Sequence, residues 1–250
     1  MNRILFESDE IKDGVATFGG ARAEHVMNVL HGEVGQILKT GEINGLIGTS
    51  EITNISTPSS LFPLPSSLSI TVSCSHIEKS LVPWIDLILA PPRPRVMKRL
   101  LPQLAALGVG RIFLVGAKKV EKDFWGATLL KPENYRPLLI DGLMQAGTSI
   151  LPTLETRRNF RKFVKEELDA LFPSHTRIIA HPYDGTQTLK HSNTQTLLLA
   201  IGPEGGWTDD EVALLEEHGF TRYSLGSRIL RTDTATVALL AQLMKEFDKC

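Results

Sequence analysis

Two hydrophobic periods divide this chain. Over residues 1–80, apolar and polar positions alternate in short stretches, VATFGG, GEVGQILKTGEINGLIGTSEITNI and SLSITVSC, broken by turns such as Thr40-Gly41-Glu42 and Asn44-Gly45. Alternation of period two between glycine turns predicts short antiparallel strands, hence a small β-barrel or sandwich. One helix is expected at 21–30, where AEHVMNVL has helical apolar spacing, and TPSSLFPLPSS (57–67) reads as a loop.

Near residue 82 the texture changes. WIDLILA, RIFLVGA, TRIIAHP, TLLLAIG and TRYSLG are short apolar runs, and helical segments at 95–107, 133–146, 159–171 and 208–218 lie between most of them. Strands alternating with helices predict an α/β domain: a mostly parallel sheet with helices on both faces. Thr208 with Glu211 forms a capping box, Val212 and Leu215 supply the apolar stripe, and Gly219 offers a left-handed exit. A last helix is expected from about Asp233, with Val237, Leu240, Ala241, Met244 and Phe247 on one face. The expected domains are 1–82 and 83–250.

Composition narrows the function. The formal net charge of −1 gives no global field that draws the chain to nucleic acid or membrane, so any such binding is local. Residues 1–80 hold 5 basic and 9 acidic side chains, a net of −4, which leaves +3 for the remainder. Cys74 and Cys250 stand far apart without ligand spacing, which argues against a disulfide framework or a metal site and suits the cytoplasm. Neither a signal-peptide core nor a run of about 18–20 apolar residues is present, so no membrane association is expected.

Two loops hold the candidate chemistry. GPEGGW (202–207) follows the strand at 196–201, and LGSRILRTDT (225–234) follows the strand at 221–225. Both fall at the carboxyl edge of the predicted sheet, where ligands bind. Glycines 202, 205 and 206 permit positive φ and close approach of a ligand to main-chain groups. Neither a nucleotide-binding lysine loop nor a dinucleotide GxGxxG occurs there. Read alone, GPEGG is equally a tight strand-to-helix turn, and Arg228 with Arg231 equally a surface pair. Both loops at one edge favour a site.

IGPEGGWTDDE followed by LGSRILRTDTAT closely resembles the paired signature of the RsmE-type ribosomal RNA uridine-N3 methyltransferases of the SPOUT class. Fainter traces are Asn2-Arg3, His25 with Val29-Leu30, and Leu107-Gly108-Val109. The resemblance implies a PUA-like β-barrel followed by a SPOUT-type, trefoil-knotted parallel sheet, an exception to ordinary chain topology. It implies S-adenosylmethionine as cofactor, RNA as partner, no DNA, and a homodimer through the knot region. Carried over residue by residue, Ile201, Gly202, Pro203, Glu204, Gly205 and Gly206 line the cofactor pocket from one side. Leu225, Gly226, Ser227, Arg228, Ile229 and Leu230 line it from the other, with Ala180 and His181 as a third wall. Arg228 and Arg231 are the candidates for stabilising negative charge on the uracil oxygens, and Asp233 is one candidate proton acceptor.

The substrate-side pattern departs from the family. Met144-Gln145-Ala146-Gly147-Thr148 stands where E-Q-S/C-x-R is usual, Gln103-Leu104-Ala105-Ala106 where K-A-x-E is usual, and His31 where an arginine is usual. A divergent enzyme acting on another RNA or site, or an inactive cofactor- or RNA-binding relative, is therefore the alternative. Three basic clusters are candidate RNA contacts, although charge runs are usually solvated helix faces: 93–99, 118–122 and 157–165.

Overall fold

A computed structural model describes residues 2–56, 68–183, 185 and 196–247; the loop expected at 57–67 lies outside the described residues. The chain divides into two compact units, Met1–Leu81 with Leu143–Leu151, and Val82–Gly142 with Pro152–Cys250.

In the first unit, strands β1 (Ile4–Phe6), β2 (Ile11–Lys12), β3 (Val15–Gly19), β4 (Ile37–Glu42), β5 (Ile47–Ser56) and β6 (Ser69–Glu78) form one sheet in the order β1-β4-β5-β6-β3-β2. Helix α1 (Gly20–Asn28) buries Ala23 and Val26 against Phe6, Phe18, Leu38, Ile52, Ile70 and Val72. The β4–β5 hairpin turns at Asn44, whose φ of 60° lies in the left-handed region that asparagine tolerates. The antiparallel expectation holds except for β1, which pairs parallel with β4. Residues 7–36 lie between these two strands, so no tight turn dictates their sense.

One boundary is corrected. Segment 143–151, assigned by sequence to the second domain, belongs with the first because it satisfies main-chain groups there. Asn2 and Arg3 donate their N–H groups to Met144 O at 3.0 Å, Asn44 N–H donates to Ser149 O at 2.8 Å, and Ser149 Oγ donates to Gly45 O at 2.7 Å. Arg3 adds bonds from its side chain to the carbonyls of Thr40, Gly48 and Gly147. Burial pulls this guanidinium below its ordinary pKa, with Glu78 opposing.

The second unit contains β7 (Ile85–Leu89), α2 (Pro94–Ala106), β8 (Val109–Val115), α3 (Pro132–Ala146, its last turn counted with the first unit), β9 (Thr153–Arg157), α4 (Phe160–Glu166), α5 (Leu168–Leu171), β10 (Thr176–Ala180), β11 (Leu197–Ile201), α6 (Asp209–Glu217), β12 (Thr221–Tyr223) and α7 (Thr232–Phe247). The single helix expected at 159–171 is two helices meeting at Glu167, whose carboxylate is held by Arg157 at 2.6 Å.

All strand pairs here are parallel, in the order β12-β10-β11-β7-β8-β9. One face presents Ile88, Phe113, Val115, Ile179, Leu198 and Ala200 to α4, α5 and α6. The alternating residues Leu87, Leu89, Ile112, Leu114 and Leu199 are as completely buried, which requires cover on the other face as well. There α2 packs on β8 and against α7. Full burial on both faces explains why these strands read as continuous apolar runs.

Candidate active site

The loop after β11 is held in place from three directions. Ala90 N–H donates to Ile201 O at 2.9 Å, Arg93 N–H to the Glu204 carboxylate at 3.3 Å, and Lys119 Nζ to Gly205 O at 2.7 Å. Within it, Gly206 N–H closes a turn on Pro203 O at 2.7 Å, with Gly206 at φ 68°. Gly202 lies close against Trp207, where an added Cβ would stand 3.1 Å from the indole. That indole is buried and stacks 5.2 Å from the Phe160 ring. Its Nε1 is a buried donor with no partner among the described residues.

The second loop leaves β12 beside the end of β10. Ala180 pairs with Tyr223, and His181 N–H donates to Tyr223 O at 3.0 Å, so Ala180 and His181 stand between the strands that carry the two loops. The His181 ring turns into its own turn, where Nδ1 donates to the Tyr183 carbonyl oxygen. Ser224 Oγ accepts the Gly226 N–H at 3.2 Å, which bends the chain at Gly226, φ 117°. Residues 227–231 then run exposed, Ile229 to 70%. Among the described residues the N–H groups of 227–230 find no main-chain acceptor.

These features suit a ligand read through backbone groups. Space is open where a side chain would project from Gly206 and Gly226, and main-chain donors beyond Gly226 are uncommitted. Free N–H groups beside left-handed glycines are how a chain grips the edge of a polar ring without side-chain charge.

The candidate catalytic residues differ in setting. Arg228 is exposed and forms no ion pair among the described residues. Asp233 is flanked by two guanidiniums, Arg231 Nε at 3.6 Å from Oδ1 and Arg99 Nη2 at 3.4 Å from Oδ2. Its Oδ1 also accepts the Thr234 N–H at 3.0 Å. Both arginine contacts are long and both arginines are largely exposed, so Asp233 is loosely paired.

Two supporting residues are not legible as such in the sequence. Lys119 reads there as part of a basic cluster and is a strut. Glu211 reads as a helix cap and does more: its buried carboxylate accepts the Thr208 N–H at 2.9 Å and, across from α6, the Lys118 N–H at 2.7 Å. Glu211→Ala leaves these donors unmatched and is expected to cost about 2 kcal/mol. Thermal denaturation checks this, and an unchanged midpoint would remove Glu211 as a brace.

The chain is similar to known proteins over most of its length. An RNA methyltransferase domain model matches residues 78–244. The ribosomal RNA small subunit methyltransferase E of Treponema pallidum is 31% identical over 98% of this chain and 91% of its own length. A protein of the same name from Borreliella burgdorferi is 24% identical over 95% of each chain. A methyltransferase of Legionella pneumophila solved with bound S-adenosylmethionine superposes with a TM-score of 0.76 at 24% identity, covering 98% and 97% of the two chains. The corresponding enzyme of Neisseria gonorrhoeae, solved with the same cofactor, gives 0.73 at 20% identity over 98% and 97%.

Proposed function

This chain belongs to the small-subunit ribosomal RNA methyltransferase E family, and from that premise we propose that it transfers a methyl group from S-adenosylmethionine to N3 of a uridine in small-subunit ribosomal RNA. The observation that carries this reading is the pair of loops at one sheet edge, with main-chain groups open over Gly206 and beyond Gly226.

The cofactor supplies an electrophilic methyl carbon on a sulfonium. Ile201–Gly206 and Leu225–Leu230 are assigned to its two sides, and Ala180-His181 to the wall between. Attack by N3 requires the uracil nitrogen to be oriented and its proton to leave. As that proton departs, negative charge spreads onto the ring oxygens; Arg231 and Arg228 are assigned to stabilise it. Asp233, loosely paired with Arg99 and Arg231, is the candidate proton acceptor.

The strand order supports a trefoil knot: β11 inserts between β10 and β7, and the chain returns to β12 beyond β10. The first unit, a sheet with one covering helix, is read as PUA-like, the protein as cytoplasmic, and the assembly as a homodimer through the knot region. Altered residues at His31, Gln103, Met144, Ala146 and Thr148 favour a second reading, in which the methylated site is another RNA position.

Nucleoside mass spectrometry tests the proposal, using purified protein, S-adenosylmethionine and unmethylated small ribosomal subunits. The expected product is 3-methyluridine. A different methylated nucleoside would overturn the target, and no cofactor binding by calorimetry would overturn the whole reading.

A further inference from the structure

Three basic clusters stand out in the sequence, and the structure ties up several of their cations in ion pairs. Arg93 pairs with Glu121 at 3.0 Å, Arg99 with Asp233, Arg157 with Glu155 and Glu167, and Lys162 with Glu166 at 3.8 Å. Three of the others, paired or not, come together from two clusters some forty residues apart. Lys118 after β8, Arg158 after β9 and Arg161 on α4 line a single cleft of about 410 Å³.

The cations stand on fixed backbone. Gly116 N–H donates to Arg157 O at 3.0 Å, and a Cβ on Gly116 would stand 1.9 Å from Arg158 O, so the exits of β8 and β9 are pressed together. Lys118 is anchored through its N–H by Glu211, while its ammonium forms no ion pair among the described residues. Arg158 donates to Trp125 O at 3.3 Å and lies 5.8 Å from the Trp125 ring centre, an aromatic beside the cations. Two carboxylates also face the cleft. Asp210 is taken by Arg161 at 3.2 Å, and Glu211 is buried with its donors satisfied. Lys118 and Arg158 are left for a ligand.

The cleft occupies the β8–β9 half of the carboxyl edge, and the cofactor loops occupy the β12–β10–β11 half. Thr208, which closes GPEGGW, forms part of the cleft wall, so the two are contiguous. Resting on the RNA methyltransferase reading above, we propose that this cleft holds a backbone phosphate of single-stranded RNA flanking the target nucleotide. Paired cations on rigid backbone are what a single strand's phosphates engage by charge.

The test is binding of a labelled single-stranded fragment of small-subunit ribosomal RNA across a salt series. In the double variant K118Q/R158Q, affinity at low salt is expected to fall about tenfold. The slope of log K against log salt is expected to shrink by about 0.7, the value for one lost single-strand phosphate contact. Cofactor binding by calorimetry, expected to persist, reports that the fold survives. A control double variant, K122Q/K165Q, removes the same charge outside the cleft and is expected to bind RNA almost normally. Equal losses in both variants, or none in the first, overturn the cleft while leaving the methyltransferase reading intact. Wild-type protein that binds no RNA overturns both.

Discussion

Replacement of Arg231 by alanine is expected to lower methyl transfer by about a hundred- to a thousandfold while cofactor affinity stays near the wild-type value. The magnitude is that of losing one fixed donor to charge that develops only in the transition state. Retained cofactor affinity follows from the proposed division between side-chain and main-chain work, in which backbone at Gly202–Gly206 and beyond Gly226 holds the cofactor and this change leaves it in place. Arg231→Lys keeps the charge and loses the planar fork, so its activity is expected to lie well below wild type. Asp233→Asn removes the candidate proton acceptor and is expected to lower the rate and flatten the acid limb of the pH profile; an unchanged limb would assign the proton to another group. Single-turnover rates and calorimetry check these outcomes. Parallel loss of turnover and cofactor binding in Arg231→Ala would make Arg231 part of the cofactor pocket instead.

The two loops and the parallel sheet were legible because each depends on local signals. A fully buried strand has to be apolar throughout, and the turns at 202–206 and 226 need glycines. The capping box of α6 was equally readable from Thr208 and Glu211. What the sequence hid is pairing at a distance. No local pattern places β11 between β10 and β7, because alternation of strands and helices gives parallel sense without order. Nothing near Gly147 announces that its carbonyl accepts from Arg3, or that 143–151 packs with residues far upstream. The basic clusters misled for the same reason. Arg157 and Arg158 are adjacent and look alike, yet one is held between Glu155 and Glu167, which raise its pKa, while the other lies against Trp125.

Asp86→Ala is expected to destabilise the protein by about 2–3 kcal/mol, because it strips the partner from the largely buried His175 and the partly exposed Arg111 at the sheet edge opposite the candidate loops. Asp86 Oδ1 accepts the Arg111 N–H at 2.8 Å; Oδ2 accepts Arg111 Nη2 at 2.6 Å and His175 Nε2 at 3.0 Å. Arg111 in turn lies over the Phe172 ring at 4.4 Å, so its charge is held against an apolar surface. For a chain of this size the midpoint of thermal unfolding should fall by roughly 10 °C. Acid should act on the same cluster. His175 donates through Nε2 to Asp86, which leaves Nδ1 as the site for a second proton, and that atom is buried without a partner. Burial therefore pulls the His175 pKa below its ordinary 6.5; the Asp86 contact opposes this, and Arg111 and Arg177 reinforce it. A folded pKa below the unfolded one means the neutral ring's contribution is complete above about pH 6.5 and is lost as pH falls from there through the folded value. His76, lowered by burial as well, adds to the loss in the same window. His175→Gln keeps a donor for Asp86 and cannot titrate, so its stability should fall less steeply on acidification than wild type. Denaturant midpoints compared at pH 7.5 and 5.5 measure the difference, and identical slopes for the two proteins would show that His175 takes no part in the acid response.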